Sequence, residues 1–446
     1  MEHRILNCAV VRGSGDSTYL VLHGKKYAIA GDEVMEKLFV RPYYTRVTDK
    51  CLNVLPDGEF LSVSSRLVAD SDNKVYLSVN GCLKLPILDS VTFDEMGFAA
   101  DKIQVLPENE LEQIPTGEPV EAGNWGWEHE DWMSCVPDDT LLSGISIPGT
   151  HDTMSYTCYH KNLIKEVIEQ KKWGLILDAT AACQAKSLEE QLKMGARFFD
   201  LRLDHTMRFY HGATDLKLVS EDAMQPLVRF LGEHPDETVL LRVKSENTQD
   251  ESAYRNLLEK EVIGRYRQWF WSWSEEYSGA GVKDEHGVVI PILGETRGKI
   301  VLFNSYQLED MKDGVKEYIG YQLRFYTPVV DGEPFPVTCQ HLQDEYQLGS
   351  TPQKIQAIKE NARKADRCED SVYSINFLSG VDNIKLSDSI KIPVPIPQVC
   401  AMSNNPQVEK FLIEEIRNTT GIIVMDFMGL DEGVTPRVLF TNFRRH

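Results

Sequence analysis

From about residue 140 onward the chain alternates short apolar runs with helical stretches, and that alternation leaves few folds open. Strand candidates lie at 142–147, 196–203, 238–244, 299–303, 372–377 and 421–426. Helices are predicted between them at 188–194, 224–232, 352–364 and 407–417. Ser187 stands as N-cap of the first, with Glu190 at capping-box spacing. Strands joined through helices argue for a parallel sheet with crossover connections. Their number fits an α/β fold closed into an irregular TIM-type (β/α) barrel spanning residues 119–446.

The first third is organised differently. The run DSTYLVLHGKKYAIAG from Asp16 matches NKVYLSVNGCLKLPILD from Asn73, each with Gly four residues after a Tyr-Leu (Gly24, Gly81). Downstream, DKCLNVLPDGE from Asp49 echoes DKIQVLPENE from Asp101. Each copy reads as a β-hairpin, and two copies suggest a small β-rich module, residues 1–118, whose halves cover each other's apolar faces. Residues 107–124, rich in acid, Pro and Gly, read as a linker.

Composition excludes several classes. With 47 Lys+Arg against 68 Asp+Glu the formal charge is −21, a poor match to nucleic acid, which demands a cationic surface. No apolar stretch is long enough for a membrane span, and the N-terminal apolar segment is too short for a signal-peptide core. Nine scattered cysteines without C-x-x-C spacing read as mostly reduced structural thiols, which favours a cytoplasmic protein, a trimmed secreted form remaining open.

Chemistry concentrates where the predicted strands end. The first runs into IPGTHDT, with His151 and Asp152. RFFDLRLDH puts Asp200 and Arg202 on one strand face and Phe199, Leu201 and Leu203 on the other, and His211 follows in FYHG. Lys244 closes LLRVK, Asn304 closes VLFN and Asp426 closes IIVMD. In a barrel these ends share one rim, so their side chains converge. Two imidazoles suit a base and an acid, carboxylates orient them, and a guanidinium suits a phosphate. Taken singly each has a plain alternative: a surface histidine, a structural Asp–Arg pair, a solvated lysine.

SGISIPGTHDT, EEQLKMGARFFDLRL, FYHG, HPDETVLLRVKSE, RGKIVLF, SINFLSG and GIIVMDF together resemble the X-type catalytic domain of bacterial-type phosphatidylinositol-specific phospholipase C, in the family's order. The resemblance covers roughly the last three hundred residues. It implies a lyase that releases diacylglycerol and inositol 1,2-cyclic phosphate. By motif, His151 resembles the general base, His211 the general acid, Asp426 and Asp152 their carboxylate partners, and Arg202 the phosphate-stabilising arginine. Asp200 and Lys244 resemble residues lining the inositol pocket. In LQDEY, Asp344 and Tyr346 match positions that bind and stack on the ring. No cofactor is implied, because Arg202 stands where calcium-using relatives place a cation and two positive charges at one phosphate edge repel.

The sequence departs from the family after KIVLF, where bacterial members carry an arginine and this chain has Asn304, Ser305 and Tyr306. Loss of a charged donor to a sugar hydroxyl weakens binding by about 1.5–3 kcal/mol. A phosphodiesterase acting on another head group, or a non-catalytic lipid-binding or adhesion protein, therefore stays in view. The expected partner is phosphatidylinositol at a membrane surface, met transiently. The segment 162–174, NLIKEVIEQKKWG, has the composition of an interfacial helix, whereas WFWSW at 269–273 reads as core.

Overall fold

The computed structural model describes residues 6–123, 129–168, 170, 172–283, 287–312, 314–323, 339–345, 350–367, 372–380, 385–387, 390–391, 396–430 and 433–444. They form two compact units, Met1–Pro137 with Phe440–His446, and Asp138–Leu439.

In the first unit the two repeats are two copies of one topology. Ala9–Arg12, Thr18–Leu22 and Lys25–Ala28 form an antiparallel meander, and Thr45–Arg46 returns parallel to the first strand after the helix Asp32–Leu38. Arg66–Ala69, Val75–Val79 and Leu83–Pro86 repeat this, with helix Ser90–Glu95 and returning strand Gln104–Val105. Gly24 and Gly81 sit at φ 69° and 72° in the hairpin turns, a region that glycine enters without a Cβ penalty. Leu20, Leu22, Val34 and Leu38 of one copy join Leu67, Leu77, Val79 and Met96 of the other in a single core. Neither copy could bury its apolar face alone.

The expected linker is part of the second repeat. Lys84 N–H donates to the Pro115 carbonyl at 2.8 Å and Gly117 N–H to Lys84 O at 2.9 Å, as Lys26 and Gly58 do around Pro56 at 3.0 and 2.8 Å. PDGE at 56–59 thus corresponds to PTGE at 115–118, not to the PENE echo read from sequence. The polar composition misled because this segment satisfies its backbone on a sheet edge and buries only Leu111 and Val120.

The reading of mostly reduced thiols holds for Cys8, Cys82, Cys158, Cys183 and Cys400, which are free, but Cys51 and Cys135 form a disulfide across a separation of 84 residues. Such a distant pairing leaves no local spacing motif, so the step from free thiols to a reducing compartment loses its basis. Loop-closure entropy for that separation is worth about 4.5 kcal/mol. The Cys51→Ser/Cys135→Ser double variant is expected to lose about 2–5 kcal/mol in urea unfolding of this unit, and a change below about 1 kcal/mol contradicts the bond's structural role.

Among the described residues the second unit contains a run of eight parallel strands. They are β1 (Ile147–Thr150), β2 (Phe198–Leu203), β3 (Val239–Ser245), β4 (Ile300–Asn304), β5 (Tyr321–Gln322), β6 (Cys339–Gln343), β7 (Tyr373–Phe377) and β8 (Ile422–Met425). Their spatial order is 5-4-3-2-1-8-7-6, the sequential winding of a (β/α) barrel, with β5 and β6 unpaired to each other among the described residues. A hairpin, Arg208–His211 with Thr214–Val219, branches from the end of β2. Helices Leu188–Lys193, Ser220–Glu233, Thr351–Arg367 and Pro397–Glu415 lie between strands, the first opened by the expected Ser187–Glu190 capping box.

Alternation along the strands sorts the core. Phe199, Leu201 and Leu203 point outward into the helix layer with Leu227, Leu231, Val408 and Leu412. Phe198, Phe303, Tyr321, Tyr373 and Phe377 stack into one another within the barrel, ring centroids 5.2–6.5 Å apart. Gly149 is required on β1, since a Cβ there would lie 2.7 Å from that of Phe198. Aromatics therefore plug the barrel beneath its carboxyl rim, and polar side chains on the same strands emerge above the plug.

Of the two tryptophans expected in the core, Trp273 is buried, its indole donating to the Gly320 carbonyl at 3.1 Å. Trp269 is only partly buried, because the segment leaves a 3₁₀ turn at Trp269 for a strand and buries Trp271 instead. Helix Leu163–Ile168 differs from the interfacial expectation: Leu163 and Val167 are spent on a cluster with Ala179, Ile396 and Phe427. Lys165 and Lys172 remain exposed. Among the described residues no helix is long and apolar enough to cross a membrane.

Candidate active site

Parallel register assembles the rim. Asp200 pairs with Arg242 and Arg202 with Lys244 across β2 and β3, so all four project from one face. His151 follows β1, and its amide donates to the Met425 carbonyl at 3.0 Å, bringing it beside Asp426 at the end of β8. Gln184 clamps the same place, donating to His151 O at 2.8 Å and Met425 O at 2.9 Å.

His151 Nδ1 lies 2.7 Å from Asp426 Oδ1, and Nε2 lies 2.6 Å from an Arg202 terminal nitrogen. A guanidinium only donates, so Nε2 accepts and the ring proton sits on Nδ1, directed at the carboxylate. The basic nitrogen thus faces the rim. Opposite, the His211 ring stands perpendicular to His151 with centroids 6.3 Å apart. His211 Nδ1 lies 3.0 Å from the Ala181 carbonyl and 3.6 Å from Asp152 Oδ2. Each imidazole therefore has a carboxylate at its back.

Asp200 is fully buried between two guanidiniums, Oδ2 3.0 Å from Arg202 and Oδ1 3.1 Å from Arg242. Burial alone would push its carboxyl up; Arg202 and Arg242 overcome this and hold it well below the usual carboxylate range. Burial raises Asp152, against the pull of His211 and Arg202. Its backbone is left-handed, φ 41°, which turns the carboxylate inward directly after His151.

The remaining expected residues fall into three groups. Lys244 is half-exposed and pairs with Glu246 at 3.1 Å, and Glu246 also faces Arg202 at 3.9 Å. Asp344 lies 3.6 Å from Arg242. Its strand end is fixed by buried Lys354, which donates to Gln343 Oε1 at 2.8 Å and Glu345 O at 2.9 Å. Burial lowers that lysine to about 8, against Asp344 and Asp426. Asn304 is buried, but its amide donates to Tyr306 O at 3.2 Å and serves its own loop. Tyr346 lies outside the described residues.

Arg242 is the residue that reading the sequence missed. It ion-pairs with Asp200 and Asp344 and lies 5.0 Å over the Phe377 ring, on the strand adjacent to Asn304. The available signal was its position two residues before Lys244, which places both on one face.

Fold and site define a class: an eight-stranded (β/α) barrel with paired, carboxylate-backed histidines and an arginine at its carboxyl rim. No protein-family model matches the chain. It is 28% identical over 303 residues to the 1-phosphatidylinositol phosphodiesterase of Listeria monocytogenes, covering 67% of this chain and 81% of that protein. The Staphylococcus aureus protein of the same name is also 28% identical, over 315 residues, covering 67% and 88%. The solved Listeria phosphatidylinositol-specific phospholipase C superposes with a TM-score of 0.53 at 25% identity, covering 71% of this chain and 98% of that one. A variant of the Staphylococcus enzyme gives 0.54 at 23% identity and supports the fold. The second unit is thus similar in sequence and fold to the bacterial phosphatidylinositol-specific phospholipases C.

Proposed function

We propose that this protein cleaves phosphatidylinositol as a diacylglycerol-lyase, working transiently at a lipid surface. The observation that carries the reading is the facing pair of imidazoles, each backed by a carboxylate, with Arg202 at the basic nitrogen of one of them. His151 Nε2 removes the proton of the inositol 2-hydroxyl, whose oxygen attacks phosphorus. The bond from phosphorus to the glycerol oxygen breaks, and His211 Nε2 protonates that oxygen as diacylglycerol leaves. Arg202, held by Asp200, meets the non-bridging oxygens as negative charge builds on them. Asp426 keeps the His151 tautomer that the step needs.

Arg242 and Asp344 suit the ring hydroxyls as donor and acceptor. Arg242 thereby supplies from β3 a cation that the Asn304 loop lacks. Exposed Lys165 and Lys172, with Leu177 at 66% exposure, suit contact with an anionic lipid surface.

The test is phosphorus NMR of phosphatidylinositol vesicles incubated with the protein and a chelator. Inositol 1,2-cyclic phosphate is the expected first product, at an unchanged rate with chelator. A requirement for added calcium overturns the role given to Arg202, and turnover of a different head group alone overturns the substrate.

A further inference from the structure

Behind the His211 ring, on the side away from Nε2, three donors converge that the proposed reaction does not use as a set. Cys183 is completely buried, and its Sγ lies 3.8 Å from His211 Nδ1. Asp152 Oδ2 lies 3.6 Å from the same nitrogen. The three ligand atoms all fall within 4.8 Å of one another. Asp152 is 1% exposed, and among the described residues neither of its carboxylate oxygens has a hydrogen-bond partner. An inward-facing carboxylate left so poorly satisfied is costly, and it points to a cation.

The spacings favour one class of cation. A tetrahedral zinc ion bound at about 2.3 Å to sulfur and 2.0–2.1 Å to nitrogen and oxygen sets the S···N edge near 3.5 Å and the N···O edge near 3.3 Å. The observed 3.8 and 3.6 Å exceed these by only a few tenths of an ångström, within reach of side-chain adjustment. A thiolate and a carboxylate also balance a double positive charge. Magnesium or calcium would want six or more oxygen donors, which this set does not offer. A second trio, His151, Cys183 and Asp426, shares the sulfur, but there the carboxylate is committed to His151 at 2.7 Å.

We propose that Asp152, Cys183 and His211 form a binding site for a thiophilic divalent cation of the zinc class, and that its occupation inhibits the enzyme. The inhibition rests on the role given to His211 above. On binding, Cys183 releases its thiol proton to solvent. His211 gives up the Nδ1 proton now directed at the Ala181 carbonyl, 3.0 Å away, and keeps the one on Nε2. An imidazole so bound is a weak acid, and the glycerol oxygen loses its proton source. Burial pushes the free Cys183 thiol up.

The test titrates the chelator-treated full chain with Co²⁺, then Zn²⁺. A sulfur-to-cobalt charge-transfer band in the near ultraviolet is expected, erased by Zn²⁺, with lipid cleavage falling in parallel and recovering with chelator. Cys183→Ser, with Cys183→Ala as a second variant, is expected to lose the band and to need at least about tenfold more Zn²⁺ for half-inhibition, while its metal-free rate is unchanged. Cobalt binding without the sulfur band, or equal Zn²⁺ sensitivity in both variants, overturns the site. A band present in the parent protein and absent from the variants, with no lipid cleavage by any of them, leaves the metal site standing and removes the catalytic reading instead.

Discussion

Replacing His151 by Ala is expected to slow cleavage of phosphatidylinositol by about 10²–10⁴-fold, with little change in thermal stability. In the proposed step the imidazole accepts the inositol proton, and Asp426 at 2.7 Å fixes its tautomer for that task. His211→Ala is expected to lose a similar factor, but through departure of the alcohol. The two losses separate with a synthetic inositol phosphodiester carrying a nitrophenol, an alcohol that leaves without protonation. On that substrate His211→Ala recovers most of its rate, whereas His151→Ala stays slow. The double variant falls little below the worse single one, because base and acid serve one concerted displacement. Equal rescue of both singles, or a His151→Ala protein at parental rate, refutes the assignment of roles.

Much of this arrangement was legible because barrel strands end at one rim. Six of the eight strands announced themselves as apolar runs, and the polar residues at or just beyond their carboxyl ends include His151, Arg202, Lys244 and Asp426. The first strand was read too early: 142–147 contains a 3₁₀ turn, Leu142–Gly144, and pairing begins only at Ile147. β5 is two residues long, too short for any period, and β6 reads CQHLQ with little apolar content. What recruits β6 is backbone pairing with Tyr373–Phe377, a long-range term invisible to local pattern. The helix Pro397–Glu415 was seen only in its second half, since Pro406 resembles a breaker, yet the chain continues helical through it. Cys183 carried no spacing signal, and its neighbours come from residues 28 positions and more away or from loops whose turns the sequence does not specify.

Neutralising Asp200 is expected to be the most destabilising single change in the barrel's rim. The carboxylate is fully buried and stands between Arg202 and Arg242 at 3.0 and 3.1 Å. Asp200→Asn leaves two buried guanidiniums with only the more distant carboxylates of Glu246, at 3.9 Å, and Asp344, at 3.6 Å, to offset them, and breaking such a set costs about 3–5 kcal/mol. For a unit of this size that corresponds to a fall in Tm on the order of 10 °C. The pH dependence has a definite sign. A carboxyl whose folded value is depressed contributes stability above its unfolded value of about 3.9 and loses it as pH falls through the folded value. Parent and variant should therefore differ most at neutral pH, and the gap should begin to close only as pH falls below about 4. Adding Arg242→Met to Asp200→Asn should recover part of the loss, because it removes one of the two guanidiniums whose nearest carboxylate has been neutralised, whereas Arg242→Met alone should destabilise. Calorimetry of the four proteins at neutral and acid pH measures that cycle. Additive losses, or a gap that widens in acid, would mean that the two arginines are held by something other than Asp200.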